Sequence, residues 1–255
     1  MSDMIDLKGK RIIVTGASSG IGKQTAITLN SLGADVILVA RSEEKLIALV
    51  ENTLKSGNNA YYCADLSVVN EIEKLVKQIV IEQGKIDGLV YAAGVGTSIP
   101  LMQFKPEKVQ RVFDINCFAF IEFVRQLCKK GKYNEGMRIV GVSSIASVQG
   151  DKSHMAYSAS KAAMDAAVRC IAKEVADKGI CINTVAPAMT ETEMYLKYLE
   201  KYGENGDSNK ELLKRQYLGI AKTQDIANAI AFLISPAARF ITGIMLPVDG
   251  GTTTS

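Results

Sequence analysis

A serine, a tyrosine and a lysine near the middle of the chain have types and spacing suited to proton transfer. Tyr157 and Lys161 are four residues apart, so they share one face if the segment is helical. A phenol with a pKa of about 10 is a poor acid or base at neutral pH, but a neighbouring ammonium favours the phenolate. The hydroxyl of Ser144 could bind the same substrate oxygen. Because this spacing also arises often on surface helices, it needs support from other parts of the chain.

A glycine-rich turn near the N-terminus provides that support. The strand-like run Arg11–Thr15 enters this turn, and a helical pattern follows as far as Leu32. Strand, turn and helix in this order direct backbone N–H groups and a helix N-terminus at a phosphate, although a tight turn without a ligand is the alternative. The candidate phosphate-binding residues are Gly16, Ser18, Ser19, Gly20, Ile21 and Gly22.

The second predicted strand, Asp35–Ala40, ends without an acidic residue. Sites that prefer NAD place an acid there to accept from the ribose 2′-hydroxyl. This chain has Ala40 followed by Arg41 and Ser42, so a 2′-phosphate meets no repulsion and a guanidinium is available. We therefore expect NADP(H) to be preferred over NAD(H).

Strand and helix patterns alternate along the rest of the chain. Further strands are predicted at Ala60–Asp65, Ile86–Tyr91, Met137–Ser143, Ile180–Val185 and Ile244–Val248. Helices are predicted at Val68–Glu82, from about Pro106 to Lys130, and at Thr223–Ile234, and the helix carrying Tyr157 and Lys161 is predicted to run to about Asp177. The alternation predicts an α/β fold: a single-domain, Rossmann-like, doubly wound parallel sheet of about seven strands with helices on both faces. No linker or repeat is evident, so residues 1–255 are expected to form one domain.

Composition narrows the class of protein. Apolar residues make up 47% and charged residues 22% of the 255 residues, and the net charge of +3 argues little for nucleic acid. The chain shows neither a secretory signal nor a membrane-length apolar run, so we expect a cytoplasmic protein. Five widely spaced cysteines predict reduced core thiols and no metal site. The single histidine, His154, is expected at a surface or pocket rim.

Taken together, the motifs resemble the short-chain dehydrogenase/reductase family of about 250 residues, over essentially the whole chain. Ser144 lies thirteen residues before Tyr157, a spacing usual in that family. The matching elements are Thr15-Gly16-x3-Gly20-x-Gly22, Asp65, Ala92-Ala93-Gly94, Asn116, Ser144, Tyr157-x3-Lys161, Pro187 and Val248-Asp249-Gly250-Gly251.

The resemblance implies a different catalytic role for each of four residues. Tyr157 would give its proton to a carbonyl oxygen as hydride moves from NADPH to the carbonyl carbon, or accept it in the reverse reaction. Lys161 would lower the pKa of the phenol and bond the nicotinamide ribose, and Ser144 would hold the substrate oxygen. Asn116 would support a water chain that restores the proton. Asn is a poor helix former, so its place within the predicted long helix is a local inconsistency of the kind that functional sites carry.

The resemblance also implies further cofactor contacts. Asp65 and Leu66 would contact adenine. The ribose side would be lined by Ala92, Ala93 and Gly94, whereas Pro187, Thr190 and Thr192 would approach the carboxamide and diphosphate. Two positions depart from the family pattern: Tyr91 stands where an Asn is usual, and Ala188 follows Pro187 where a Gly is usual. The strand ending at Tyr91 must therefore be braced by other contacts.

The substrate is left open. Residues 192–219 occupy the position of a substrate lid and contain Tyr195, Tyr198, Tyr202 and Tyr217. The resemblance favours a 3-oxoacyl-(acyl carrier protein) reductase, with a sugar, polyol or secondary-metabolite ketoreductase as the alternative. A basic rim could meet an acidic carrier protein, and it comprises Arg125, Lys129, Lys130, Lys132, Arg169 and Lys173.

Two other classes of protein share parts of this pattern. Sugar-nucleotide epimerases and dehydratases use the same Tyr-x3-Lys pair, but with a different glycine spacing and an added substrate domain. A non-catalytic NADP-binding regulator would be expected to lose Ser144, Tyr157 or Lys161, and all three are present. Relatives pair helices corresponding to Phe113–Leu127 and Ala162–Val175, so a homodimer or homotetramer is expected.

Overall fold

The computed structural model describes residues 5–203 and 214–254 and contains one parallel sheet. Its strands are β1 (Arg11–Thr15), β2 (Asp35–Ala40), β3 (Ala60–Cys63), β4 (Ile86–Tyr91), β5 (Tyr133–Val142), β6 (Cys181–Pro187) and β7 (Met245–Val248). The seven strands lie in the order β3-β2-β1-β4-β5-β6-β7, and every neighbouring pair is parallel. The predicted fold class is therefore confirmed.

Helices cover both faces of this sheet. They are α1 (Gly20–Ser31), α2 (Glu43–Asn52), α3 (Ile72–Gln83), α4 (Pro106–Phe113), α5 (Ala119–Leu127), α6 (Met155–Val175), α7 (Glu193–Tyr202) and α8 (Thr223–Ile234). One apolar core lies between the sheet and α3, α5 and α6, and a second lies between the sheet and α1, α2 and α8. Successive residues of β1 alternate between these cores, with Ile13 in the first and Ile12 and Val14 in the second.

The strand order reverses direction between β1 and β4. The chain winds from β1 outward to β3 on one side, then returns and winds from β4 to β7 on the other. At such a switch point the loops beyond the carboxyl ends of the two central strands diverge and leave a crevice where ligands bind. The glycine-rich turn after β1 and the segment Ala92–Gly94 after β4 both border this crevice.

Several element boundaries differ from the predictions, and the largest difference is in the long helix predicted from Pro106 to Lys130. It ends at Leu127 and is interrupted by a π-helical turn, Asp114–Phe118, between α4 and α5. Strand β3 ends at Cys63 because Asp65 accepts hydrogen bonds from both the backbone N–H and the hydroxyl of Ser67, which closes a turn. A 3-10 turn, Val69–Glu71, precedes α3.

The cysteines are less uniformly buried than expected. All five are free, but Cys63 and Cys170 are exposed, so the prediction of core thiols is wrong for these two. Cys63 lies on the edge strand β3 and Cys170 on the outer side of α6, where apolar neighbours in sequence do not lie in the core. Within the described residues, no helix is long and apolar enough to span a membrane, and no cluster of potential metal ligands occurs.

Candidate active site

The glycine-rich turn after β1 is packed too tightly for larger residues. A Cβ atom added at Gly16 would lie 2.8 Å from the backbone of Ala92 and Ala93, and one at Gly22 would overlap the carbonyl oxygen of Gly16. Helix α1 begins here without a side-chain cap and without an acidic residue in its first turn. Uncapped N–H groups at a helix N-terminus suit a phosphate, so this turn fits the diphosphate of a dinucleotide. Ser18, Ser19, Gly20 and Ile21 lie half-buried along it.

The start of α7 lies directly over this turn. A Cβ atom at Gly20 would approach the Cγ2 atom of Thr192 to 3.3 Å. The hydroxyl of Thr192 caps α7 by accepting from the N–H of Tyr195 at 3.3 Å. Thr192 is therefore placed beside the glycine-rich turn.

The loops after β2 and β3 lie side by side and carry opposite charges. Arg41 is exposed, and its carbonyl accepts a hydrogen bond from the Cys63 thiol. The pKa of Asp65 is lowered mainly by the N–H of Ser67, with Arg41 adding to the effect. Leu66 is buried in the core, so its predicted contact with adenine would involve its backbone and not its side chain.

The segment after β4 connects the glycine-rich turn to the middle of the site. The N–H of Ala93 donates to the Thr15 hydroxyl at 3.2 Å, which ties the ends of β1 and β4 together. A Cβ atom at Gly94 would lie 3.3 Å from Asn116 Oδ1 and 3.4 Å from Lys161 Nζ. Gly94 therefore leaves room for a ligand at the point where these two side chains meet.

Ser144 and Tyr157 meet at the carboxyl end of β5. Ser144 begins a 3-10 turn, Ile145–Ser147, that packs against α6, and its hydroxyl accepts from the N–H of Ala146. Burial raises the pKa of Tyr157, and a hydrogen bond with Ser144 works in the opposite direction. The two hydroxyl groups predicted to share a substrate oxygen are thus brought into hydrogen-bonding range of each other.

Lys161 is buried one turn further along α6. Its Nζ atom donates to the Val142 carbonyl at 2.7 Å and lies 5.9 Å from the centre of the Tyr157 ring. Burial lowers the pKa of Lys161 to about 8, while Asp165 and then Cys117 raise it. The pKa of Tyr157 is raised and not lowered, because burial outweighs the opposing hydrogen bond with Ser144.

The π turn presents Asn116 to the same site. Its Oδ1 accepts from the N–H of Val95 at 2.9 Å, and its Nδ2 donates to the Val95 carbonyl and to the Ser160 hydroxyl, both at 3.0 Å. These bonds occupy both amide hydrogens of the side chain. Asn116 therefore joins the loop after β4 to α6, next to Tyr157 and Lys161.

Tyr91, one of the departures from the family pattern, braces this turn. Its hydroxyl donates to the carbonyl of Ile115 at 2.7 Å, and its ring packs edge-on against Phe120 and Phe123. A π turn spaces the hydrogen bonds of a helix five residues apart instead of four, and such turns are frequent at functional sites. Tyr91 thus braces the end of β4 against the π turn and α5.

The segment after β6 carries the other departure. Pro187 is the last residue of β6, and Thr190 is buried with its hydroxyl donating to Ala188. The side chain of Gln216 binds both backbone groups of Met189. Its Oε1 accepts from the Met189 N–H at 3.2 Å, and its Nε2 donates to the Met189 carbonyl at 2.9 Å. This clasp fixes the backbone after Pro187-Ala188 and ties it to the end of the predicted lid.

Sequence reasoning did not identify several residues that shape this site. Ser160, Gln216 and Asp165 act through hydrogen bonds between segments distant in sequence, which no local pattern reveals. Ser160 lies within the Tyr-x3-Lys segment, so its place one turn from Tyr157 was available as a signal. His154, as expected, is half-buried just before α6.

Comparisons with known proteins give a consistent class of relatives. A family described as "Enoyl-(Acyl carrier protein) reductase" matches residues 16–253. The chain is 38% identical over 250 residues to the 3-oxoacyl-[acyl-carrier-protein] reductase FabG of Rickettsia bellii, covering 97% of this chain and 98% of that protein. It is 33% identical over 252 residues to the L-xylulose reductase of Caenorhabditis elegans, covering 96% of each.

Solved structures share the fold. A short chain dehydrogenase from Burkholderia cenocepacia, in complex with NADP, superposes with a TM-score of 0.88 at 29% identity, over 97% of this chain and 99% of that one. The relatives differ in substrate, since one name refers to a carrier-bound acyl group and another to a sugar. Both of these sequence relatives are named as reductases.

Proposed function

Because the chain belongs to the short-chain dehydrogenase/reductase family of oxidoreductases, which use a nicotinamide cofactor, we propose that it reduces a ketone to a secondary alcohol with NADPH. The observation that carries this proposal is the meeting of the Ser144 and Tyr157 hydroxyls beside the buried ammonium of Lys161. Bound NADPH would supply the hydride. The roles of the side chains follow from their surroundings.

Tyr157 is proposed to deliver the proton. Since burial holds its pKa above the ordinary value, the phenol is protonated at neutral pH and can donate to a carbonyl oxygen as negative charge develops there. Ser144 is proposed to donate to the same oxygen, and the ammonium of Lys161 to stabilise the phenolate that forms. Asn116 is proposed to hold the loop after β4 against α6, with water restoring the proton.

NADP(H) is proposed as the preferred coenzyme. Arg41 is exposed at the end of β2, where the ribose of the adenosine half would lie, and the nearest acids in sequence, Glu43 and Glu44, are exposed on α2. The complex of the Burkholderia cenocepacia relative with NADP supports the same preference. A guanidinium can make charge-assisted hydrogen bonds to a 2′-phosphate.

Substitution of Arg41 by aspartate is expected to reverse this preference. The change removes the bonds to the 2′-phosphate and adds repulsion, which should lower kcat/KM for NADPH by roughly ten- to a hundredfold. Steady-state rates with NADPH and NADH would measure it. Arg239→Asp is the matched control, because Arg239 is exposed near the first residue of β6, at the opposite end of the sheet. An unchanged coenzyme preference in Arg41→Asp would contradict the assignment.

A 3-oxoacyl thioester, carried by an acyl carrier protein, is the proposed substrate. Exposed apolar side chains flank the catalytic groups: Val148 follows the Ser144 turn, Met155 precedes Tyr157, and Met194 packs against Gly96. The flexible, apolar side chain of methionine suits contact with an alkyl chain better than contact with the hydroxyl groups of a sugar or polyol. We propose residues 192–219 as the lid over this surface; residues 204–213 and the side chains of Tyr198 and Tyr202 lie outside the described part.

Reduction of a polyol or sugar ketone is the second candidate, favoured by the similarity to L-xylulose reductase. A secondary-metabolite ketone stays a further alternative. The family description names enoyl reduction, in which hydride adds to a carbon–carbon double bond. We favour carbonyl reduction over it because the Tyr157 phenol and the Ser144 hydroxyl are hydrogen-bonded neighbours, an arrangement that suits two donors to one carbonyl oxygen.

A substrate panel followed by NADPH absorbance tests the proposal. It contains two N-acetylcysteamine thioesters, 3-oxobutanoyl and 3-oxooctanoyl, together with a 2-enoyl thioester and xylulose. Oxidation of NADPH is expected with the oxoacyl thioesters, and the longer chain should react faster because each buried methylene contributes about 0.8 kcal/mol. Met194→Ser should reduce that chain-length preference. Preferential turnover of xylulose or of the enoyl thioester would contradict the acyl assignment.

The partners proposed are an acidic carrier protein and a second copy of this chain. The basic rim is partly neutralised within the chain, since Arg125 binds Glu122 at 2.7 Å and Lys129 binds Glu73 at 3.4 Å. Exposed Arg169 and Lys173 on α6 are the cations proposed for carrier docking. For the homodimer or homotetramer, support comes from Phe118, a large apolar side chain half-exposed at the π turn.

A further inference from the structure

Asp165 is a buried acidic residue to which the chemistry proposed above gives no role. It lies on α6, one turn beyond Lys161, and its exposed fraction is 5%. Burying a carboxyl group is costly unless hydrogen bonds or an opposite charge compensate for the lost water. The contacts of Asp165 therefore indicate what it is for.

Two hydroxyl groups from neighbouring strands bind this carboxyl group. Ser143 Oγ donates to Oδ2 at 2.9 Å, and Thr184 Oγ1 donates to Oδ1 at 2.7 Å. Because each carboxylate oxygen accepts from a separate hydroxyl, the carboxyl group is held in one orientation. Ser143 is the last residue before Ser144, so Asp165 fixes the backbone that carries the Ser144 hydroxyl.

The buried ammonium of Lys161 interacts electrostatically with this carboxyl group. Lys161 is 4% exposed and binds the neutral carbonyl of Val142, which cannot balance its charge. Residues four apart on a helix are neighbours on one face, so the carboxylate and the ammonium face the same interior region. The other titratable groups there are Tyr157 on α6 and Cys117 on the π turn.

We propose that Asp165 is a positioning residue: its carboxylate keeps the buried side chain of Lys161 protonated, and its bond to Ser143 anchors Ser144. This inference rests on the proposed role of Lys161 in carbonyl reduction. The direction of the pKa values agrees, since burial lowers the pKa of Lys161 to about 8 and Asp165 opposes that effect. Without the carboxylate, Lys161 would lose its proton closer to neutral pH.

Asp165→Asn tests the charge with little change of shape. The full chain labelled with 15N-lysine would be titrated by NMR, with the Lys161 signal assigned by its absence in Lys161→Met. The midpoint for Lys161, about 8 in the unmodified chain, is expected to fall by roughly one pH unit in Asp165→Asn. The alkaline limb of kcat at saturating NADPH should move to lower pH by the same amount.

Two controls separate charge from structure. Glu174→Gln makes the same charge change at an exposed position of α6 and should leave the midpoint unmoved. Ser143→Ala removes one hydrogen bond but keeps the carboxylate, so it should lower kcat without moving the alkaline limb. An unchanged midpoint in Asp165→Asn, or an equal shift in Ser143→Ala, would overturn the proposal.

If Asp165→Asn fails to fold, a second variant provides the test. Asp165→Glu keeps the charge with one added methylene, and its Lys161 midpoint is expected to stay near that of the unmodified chain. A clear fall in that variant would also overturn the proposal. The NMR titration needs no substrate, so its result stands apart from the proposed function, whose failure would show as an absence of ketone-dependent NADPH oxidation.

Discussion

Replacing Tyr157 by phenylalanine is expected to lower kcat by a factor of about 10² to 10⁴, the range that a positioned general acid contributes. The variant loses the proton donor but keeps the ring that lies 5.9 Å from the Lys161 ammonium. Binding of NADPH should persist, because the glycine-rich turn and Arg41 are untouched. Single-turnover oxidation of NADPH and a separate fluorescence titration of coenzyme binding would measure the two properties.

Tyr61→Phe provides the matched control for that experiment. Tyr61 is an exposed tyrosine of β3 that also loses only a hydroxyl, and its replacement should leave turnover unchanged. Undiminished turnover in Tyr157→Phe would show that the proton comes from another group. Loss of coenzyme binding together with turnover would point to a disturbed site and not to a missing acid.

Substitution of Gly16 by alanine is expected to abolish coenzyme binding and to destabilise the fold. The backbone at Gly16 has φ of +66°, and an added Cβ would lie 2.8 Å from the backbone of Ala92 and Ala93. Left-handed backbone costs an alanine about 1–2 kcal/mol, and forcing a methyl group into a packed site costs about 1–3 kcal/mol more. Urea denaturation should show the sum, roughly 2–5 kcal/mol.

Gly131→Ala separates the two causes. Gly131 has φ of +87°, but no atom lies within 4 Å of the position of an added Cβ. This variant should therefore carry only the backbone cost of about 1–2 kcal/mol and keep full coenzyme binding. If Gly16→Ala and Gly131→Ala lost the same amount of stability, the close contact of the β1–α1 turn with Ala92 and Ala93 would be contradicted.

Much of the fold could be predicted because its signals are local. The boundaries of β1, β2, β4 and α8 follow from short apolar runs and from the residues that end them. The π turn at Asp114–Phe118 could not be predicted in this way. It depends on Tyr91 binding the Ile115 carbonyl and on Asn116 binding Val95, and both bonds join segments far apart in sequence.

The candidate site, like the fold, could be predicted only in part from the sequence. Ser144, Tyr157 and Lys161 could be identified because their types and spacing are themselves the signal. The electrostatics could not, since the pKa values of Tyr157 and Lys161 are governed by burial, which depends on the whole tertiary structure. Asp165 lacks any sequence signal because an acid four residues after a lysine reads as an ordinary surface pair.

The parallel strand order has a consequence for how the chain folds during its synthesis. Ile12 pairs with Gly88 and Thr184 pairs with Met245, so neighbours in the sheet are made at widely separated times as the chain leaves the ribosome. Until β4 emerges, the apolar edge of β1 is unpaired and can join a strand of another nascent chain. The same arrangement that creates the ligand crevice therefore leaves the edge of β1 open to aggregation until β4 has been made.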